Sequence, residues 1–239
     1  HLRPAVMILP GGGFSGHLEQ EGEPVALCFL ALGYQAFVLE YSVGVFSRLP
    51  NPIIDAALAL ATVKQNAEQW GVDPDRIFLV GLGSGGFVAL GLACHWDNER
   101  ILGAVSRQIL QKVESYSALK PSGVVLAHPL LDVAEVLDNL MRREEMGQQQ
   151  SIWLRQVLFG SGPIGDLWTF ENFIQESTPP MSVWRNKDYL FDCPLATGRI
   201  LERSKLVEHE MAYHEYGSTP NDIRWAMDVD RWIRSRGEG

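Results

Sequence analysis

The sequence predicts an α/β protein built on a doubly wound, mostly parallel sheet. Short apolar runs that suit buried strands alternate with longer amphipathic runs that suit helices, and this alternation is typical of parallel sheets. Two glycine-rich turns, Pro10–Phe14 and Gly81–Gly86, each follow directly on an apolar run. The chain has 239 residues, 46% of them hydrophobic, and no repeat or linker divides it. We therefore expect a single domain over residues 1–239 with a sizeable core.

The individual elements are predicted from apolar runs and the glycine or proline residues that bound them. The predicted strands are Pro4–Leu9, Ala36–Tyr41, Ile77–Val80, Gly123–Ala127, Met181–Trp184 and Glu210–Tyr213. Helices are expected at 21–34, Pro52–Trp70, Phe87–Ala93 and Leu195–Val207, with a last helix that ends at Ile233 and a turn at Val72–Asp75. Residues 131–178 carry no strand signal. Because they follow the carboxyl end of a strand, they predict a helical insertion that acts as a lid over the ligand crevice; the alternative is a simple helical connection.

Charge and composition restrict the class of partner. The formal net charge of −9 and the pI near 5.1 argue against nucleic acid or an anionic membrane. No apolar run is long enough to span a bilayer. We expect a soluble, cytoplasmic protein that binds a small molecule and could form a homodimer. The chain begins at His1 without a methionine, which indicates that preceding residues, including any signal peptide, were removed or left out.

No cofactor or metal is predicted. The three cysteines Cys28, Cys94 and Cys193 are odd in number, and we expect them to be reduced and mostly buried. No set of His, Cys, Asp and Glu has metal-ligand spacing. The glycine-rich turn at Pro10–Phe14 does not match a dinucleotide-binding loop.

The segment Arg76–Leu90 combines an apolar strand, a glycine cluster and an apolar helix, which is the context of a nucleophile elbow. In the G-x-S-x-G motif of that elbow, the middle residue is the nucleophile. Here Gly81 and Gly85 flank Gly83, so the middle position has no side chain, and the serine follows one place later as Ser84.

The first glycine-rich turn is interpreted as an oxyanion loop. Three glycines after a strand let the backbone approach a ligand closely and direct its N–H groups inward. Together with the elbow some 70 residues later, they predict an oxyanion hole made by the amides of Gly12, Gly13 and Ser84. The alternative is a flexible turn.

These segments together resemble the acetyl-esterase and feruloyl-esterase-like (BD-FAE-like) branch of the α/β-hydrolases. The matching pieces, in family order, are Pro10–Phe14, Glu21–Ala26, Tyr41–Gly44, Trp70–Ile77, the elbow, His128-Pro129 and Thr178–Pro180. The resemblance covers nearly the whole chain and implies an α/β-hydrolase fold with a helical lid. It also implies that the first strands of the family would lie before His1.

The same resemblance implies a degenerate catalytic triad. The family's triad is Ser, Asp, His in that order, and its serine position is Gly83 here. The acid is expected at Asp188, where an adjacent second acid of similar sequences is replaced by Tyr189. Thr219 takes the place of the histidine, and Phe87 replaces a further histidine of the elbow motif.

Other side chains are candidates for the lost chemistry. Ser84 is the obvious substitute nucleophile, although its side chain should point away from the elbow, and Ser15 is a weaker one. Asp188 and His128 are candidate acids or bases; His128 closes a central strand at the ligand-bearing end of the sheet, and the alternative is a core histidine. His17 follows the oxyanion loop and could reach the pocket. Phe14, Phe87 and Tyr189 are the remaining pocket candidates.

Three functions are compatible with this pattern. The first is a non-hydrolytic enzyme of the cyclase, lyase or isomerase type that uses the oxyanion pocket on a carbonyl-containing metabolite. The second is a binding or scaffolding pseudohydrolase without activity. The third is a carboxylic-ester hydrolase in which Ser84 is a relocated nucleophile.

Overall fold

The computed structural model describes residues 2–101, 116–215 and 223–236. Its centre is a six-stranded sheet in the order β2-β1-β3-β4-β5-β6, and every pair of neighbouring strands is parallel. The strands are β1 (Arg3–Leu9), β2 (Gln35–Val38), β3 (Val72–Leu82), β4 (Gly123–Ala127), β5 (Met181–Arg185) and β6 (Met211–Glu215). Because all strands are parallel, their carboxyl ends lie along one edge of the sheet.

Helices cover both faces of the sheet, which confirms the doubly wound arrangement. The described helices are α1 (Glu23–Ala31), α2 (Asn51–Gln65), α3 (Ala67–Trp70), α4 (Ser84–His95), α5 (Val133–Met141), α6 (Glu145–Phe159), α7 (Pro194–Leu206) and α8 (Ile223–Arg234). One face carries α1 and α8, and the other carries α2 and α4, each over its own apolar cluster. The central strands are buried on both sides, which explains why they are continuous apolar runs.

Three predicted elements have different boundaries in the structure. Residues Val72–Asp75 belong to β3 and do not form a separate turn, because the chain already reverses at Gly71 (φ 66°) and Val72 then pairs with Arg3 of β1. The predicted helix Pro52–Trp70 divides at Asn66, whose dihedral angles of −102° and 13° leave the helical region. The strand predicted at Ala36–Tyr41 ends at Val38.

Residues 131–178 are helical, as predicted. They form α5, α6 and two short 3₁₀ turns, and they contain no strand. Asp132 caps α5 by accepting a hydrogen bond from the amide of Glu135. Trp168 and Phe170 of the 3₁₀ turns are buried in the main core cluster, so part of this insertion is fixed to the body of the fold.

No described helix combines the length and the hydropathy that crossing a bilayer would require.

Candidate functional site

The turn between β3 and α4 lies at the carboxyl edge of the sheet and is held from both sides. The Gly83 amide donates to the Ala127 carbonyl (3.0 Å), and the Gly83 carbonyl accepts from the Leu130 amide (2.9 Å). Gly83 has φ 51° and ψ −117°, a conformation that side-chain-bearing residues rarely adopt. This strand, sharp turn and helix form the elbow geometry that the glycine pattern predicted.

Tyr189 occupies the space in front of Gly83. A Cβ atom built on Gly83 would lie closer than 3.0 Å to the Tyr189 hydroxyl oxygen. Burial raises the pKa of Tyr189, and the nearby charge of Glu21 raises it further, so the phenol stays neutral and remains an O–H donor. No residue in the described ranges forms a hydrogen bond with this hydroxyl.

A short turn after β5 positions Tyr189. Its amide donates to the Asn186 carbonyl (3.2 Å), and its carbonyl accepts from the Asp192 amide (3.1 Å). Arg185 donates from Nε and Nη2 to the two carboxylate oxygens of Asp192 (2.8 and 2.7 Å), which closes the base of the turn. Asp188, predicted as the acid, is exposed on this turn, and Tyr189 is the residue that faces the elbow.

Ser84 is buried, and its hydroxyl is engaged both as a donor and as an acceptor. Tyr41 donates its only hydroxyl hydrogen to the Pro10 carbonyl (2.6 Å). In the hydrogen bond between the Tyr41 and Ser84 hydroxyls (3.0 Å), Ser84 is therefore the donor. Ser84 Oγ in turn accepts from the Gly13 amide (3.1 Å). Burial raises the pKa of Tyr41, so this phenol is not a base that could activate Ser84.

The glycine loop after β1 is a tight turn. Gly12 and Gly13 have positive φ values of 131° and 62°, and the Ser15 amide and hydroxyl both donate to the Gly12 carbonyl. Of the three predicted oxyanion donors, the Gly13 amide already donates to Ser84 Oγ. The amides of Gly12 and Ser84 have no acceptor among the described residues.

Three of the predicted pocket residues, Phe14, His17 and Phe87, make aromatic contacts near the loop. Phe14 and Phe87 are fully buried core residues whose ring centroids are 6.0 Å apart. The His17 ring packs edge-on against Tyr41 at 4.7 Å, and its buried Nε2 has no hydrogen-bond partner in the described part of the chain. Burial lowers the pKa of His17, with Glu40 opposing the effect. Of the four pocket candidates, Tyr189 alone lines the large cavity described below.

Sequence reasoning named His128 but missed the buried carboxylate–histidine contact that it makes next to the elbow. Glu21 Oε2 accepts from the Gly11 amide (2.8 Å), while Oε1 lies 3.2 Å from His128 Nε2. The two residues are only 6% and 5% exposed. His128 has φ 36°, which is unusual for a residue with a side chain, and its ring centroid is 4.5 Å from that of Tyr189. In the sequence Glu21 is indistinguishable from the neighbouring acids Glu19 and Glu23. It differs from them only in the folded chain, where it is buried and they are exposed.

A cavity of about 630 Å³ opens beside the elbow. It is lined by the glycine loop with Ser15 and Leu18, by α6 with the end of α5, and by the Tyr189 turn. The polar side chains Gln149 and Gln150 and the aromatic rings of Trp153 and Phe191 line it. This combination of a mostly apolar concavity with a few polar groups is typical of small-molecule sites.

Thr219, predicted in the histidine position, lies outside the described residues. Within the described residues, no three His, Cys, Asp or Glu side chains are placed to hold a metal ion.

Known proteins are similar to this chain over most of its length. The profile of the BD-FAE family matches residues 1–192. Endo-1,4-beta-xylanase B of Butyrivibrio fibrisolvens is 24% identical over 194 residues, which are 78% of this chain and 27% of that protein. The chain thus spans about a quarter of the length of this relative.

Solved structures resemble the whole chain. The acetyl ester-xyloside bifunctional hydrolase of Caldicellulosiruptor lactoaceticus has a TM-score of 0.76 at 22% identity, over 99% of this chain and 84% of that chain. MGS-M1, an α/β hydrolase from a Medee basin deep-sea metagenome library, has a TM-score of 0.67 at 27% identity, over 98% and 85%. These similarities confirm the α/β-hydrolase fold predicted from the sequence.

Proposed function

The chain belongs to the BD-FAE family of the α/β-hydrolases, and we propose that it is a non-hydrolytic enzyme of this esterase fold. Its substrate is a small carbonyl-containing molecule that binds in the 630 Å³ cavity, and its reaction is of the cyclase, lyase or isomerase type. No acyl-enzyme forms on the elbow, because Gly83 has no side chain with which to form one.

The observation that carries this proposal is the position of the Tyr189 hydroxyl. The Tyr189 hydroxyl lies where the Cβ atom of an elbow nucleophile would be. The elbow therefore has no nucleophile, and the space that a nucleophilic side chain would need is occupied. A neutral phenol at this point is a hydrogen-bond donor. It thus changes the chemistry at the elbow from attack on a carbonyl carbon to polarisation of a carbonyl oxygen.

The donors around the elbow favour an oxygen-bearing ligand. The amides of Gly12 and Ser84 and the O–H of Tyr189 have no acceptor in the described part of the chain. Backbone amides at a helix start stabilise negative charge, as in an oxyanion hole. A carbonyl that becomes an enolate or alkoxide during reaction is the functional group that such donors suit. The contribution of α6 to the cavity wall supports a lid role for residues 131–178.

A second candidate is a ligand-binding pseudohydrolase without turnover. It is favoured by the hydrogen bond from the Gly13 amide to Ser84 Oγ, because this bond removes one donor from the oxyanion hole. The geometry argues against the third candidate, a Ser84 ester hydrolase. The Ser84 proton is directed at the Tyr41 hydroxyl and its lone pair at the Gly13 amide, so no base is in contact with it.

The proposal is tested in two steps on the same protein. The intact mass after exposure to a fluorophosphonate, which labels activated serines, should be unchanged, and p-nitrophenyl acetate should not be hydrolysed above background. Ligand-observed NMR should then detect binding of small ketones and lactones, with the corresponding alcohols as matched non-carbonyl controls. A stoichiometric adduct on Ser84, or equal binding of ketones and alcohols, would contradict the proposal.

A further inference from the structure

A buried carboxylate–histidine pair lies next to the elbow and is independent of the family's triad positions. Glu21 enters from the segment before α1, and His128 follows directly after β4. Their contact of 3.2 Å and their low exposure mean that the fold encloses two ionisable side chains in contact. Removing ionisable side chains from water costs free energy, and a single hydrogen bond between them offsets only part of that cost. The pair is therefore a weak contributor to stability, which favours a functional role for it.

The hydrogen bonds define the tautomer of His128. The Glu21 carboxylate already accepts the Gly11 amide through Oε2, and its Oε1 is an acceptor for the N–H at His128 Nε2. With the proton on Nε2, the lone pair of the neutral ring lies on Nδ1. No described residue donates a hydrogen bond to Nδ1. A carboxylate that orients an imidazole with a free basic nitrogen is the arrangement by which enzymes prepare a general base.

The backbone brings this pair to the elbow. Ala127 and Leu130, on either side of the His128-Pro129 dipeptide, are hydrogen-bonded to the two sides of Gly83. His128 adopts a positive φ of 36°, a conformation that is strained in a residue with a side chain and that is concentrated at functional sites.

Tyr189 connects the pair with the cavity. It lines the 630 Å³ cavity, and its ring covers the imidazole of His128 at 4.5 Å. Its hydroxyl has no hydrogen bond to any described residue, so packing alone holds the side chain over His128. Rotation of Tyr189 would therefore extend the cavity towards the imidazole.

We propose that His128 is the general base of this site, that Glu21 is its positioning residue, and that the substrate is a ketone or related carbonyl compound with a C–H bond next to the carbonyl. The inference rests on the proposed function, since it uses the same cavity and two of the same oxygen-binding donors, the amides of Gly12 and Ser84. His128 Nδ1 removes the proton from the α-carbon. The electrons of the broken C–H bond form the C=C bond of an enolate, and the negative charge develops on the carbonyl oxygen, where the amides of Gly12 and Ser84 stabilise it. Return of the proton from the imidazolium of His128 to the same α-carbon regenerates the ketone without any co-reactant, and at a stereogenic α-carbon this interconverts the two stereoisomers.

Exchange of α-protons with solvent tests this step directly. Cyclohexanone is incubated in D2O with the full-length chain, and deuterium incorporation at the α-carbons is followed by proton NMR. We expect wild type to accelerate exchange and His128→Gln to lose about a hundredfold or more of that acceleration. The matched controls are His214→Gln, which changes a histidine on β6 that stacks on Trp184, and Glu19→Gln, which changes an exposed acid outside the pair. Both should retain the wild-type rate.

The positioning role of Glu21 is tested by measurements that would not change if Glu21 only stabilised the fold. In Glu21→Gln, the maximal exchange rate should fall while the cyclohexanone concentration for half-maximal rate stays constant, and the nitrogen NMR shifts of His128 should show loss of the Nε2–H tautomer. Equal exchange by wild type and His128→Gln, no acceleration by wild type, or an Nδ1–H tautomer in wild type would overturn the inference. Cyclohexanone binding without exchange would leave the proposed function intact, whereas a fluorophosphonate adduct on Ser84 would remove that function itself.

Discussion

The hydroxyl of Tyr189 lies within 3.0 Å of the point where a side chain on Gly83 would begin. The two residues come from different loops, one after β3 and one after β5, and each alters the elbow in a way that fits the other. Glycine removes the side chain, and tyrosine fills the vacated space. Restoring a nucleophile therefore requires a change at both positions.

Gly83→Ser should destabilise the chain without creating an esterase. The serine Cβ would collide with the Tyr189 hydroxyl and would adopt a positive φ, and each effect costs about 1–3 kcal/mol. The free energy of unfolding, measured in urea, should fall accordingly, and p-nitrophenyl acetate should remain intact.

The matched variant is Gly83→Ser combined with Tyr189→Gly. Removing the tyrosine relieves the collision but not the backbone strain, so the double variant should recover part of the lost stability beyond the sum of the single effects. Adding Thr219→His to this pair should then restore some ester hydrolysis if position 219 is the triad histidine position. Additive effects of the Gly83 and Tyr189 changes would show that the two side chains do not compete for the same space.

Ser84→Ala should reduce stability and leave ester hydrolysis at background. The alanine leaves the buried Gly13 amide and the Tyr41 hydroxyl oxygen without their present partner, at a cost of about 1–3 kcal/mol. The freed Gly13 amide should also strengthen binding of carbonyl ligands, measured by NMR titration. Ser15→Ala removes an exposed hydroxyl bonded to the Gly12 carbonyl and is the control, with a smaller loss of stability. Loss of a measurable hydrolytic rate in Ser84→Ala alone would instead identify Ser84 as a nucleophile.

The fold was predictable from the sequence because it depends on local patterns. Apolar runs such as Val124–Leu126 suit a strand buried on both faces whatever its neighbours, and the glycines around position 83 suit a sharp turn. The boundary at Val72 was not predictable in this way. Its strand conformation depends on pairing with Arg3, which is distant in sequence.

The site was only partly predictable, for the same reason. The elbow and the glycine loop are continuous segments, and their geometry follows from glycine content. Glu21 and His128 are 107 residues apart, and nothing local distinguishes Glu21 from Glu19 or Glu23. In the sequence, Tyr189 was notable only because similar sequences carry an acid at that position. Its position over Gly83 depends on how the turn after β5 closes.

Arg185→Gln should release the Tyr189 turn. Arg185 and Asp192 form a two-pronged, mostly buried ion pair at the base of that turn, and charged hydrogen bonds of this kind contribute about 1.5–3 kcal/mol. We expect lower stability and faster amide hydrogen exchange across residues 186–192. Arg142→Gln breaks an exposed pair with Asp138 on α5 and should change stability by less than about 0.5 kcal/mol. Unchanged exchange in the turn after Arg185→Gln would show that the ion pair does not hold Tyr189 in place.

Mild acid should destabilise the fold through its buried histidines. His95 is fully buried, its Nε2 lies 2.8 Å from the Leu167 carbonyl, and burial lowers its pKa below the ordinary value of 6.5; the Leu167 carbonyl and Asp97 oppose that shift. The unfolded chain therefore takes up a proton at a higher pH than the folded chain. The stabilising effect is complete above about pH 6.5 and is lost progressively as the pH falls below that value. Urea unfolding at about pH 7.5 and about pH 5.5 should show this loss in wild type and a smaller loss in His95→Gln, which can still donate to Leu167 but does not titrate. His214→Gln changes a histidine that is exposed on β6 and should reduce the pH dependence less. The same pH dependence in His95→Gln as in wild type would exclude His95 as its source.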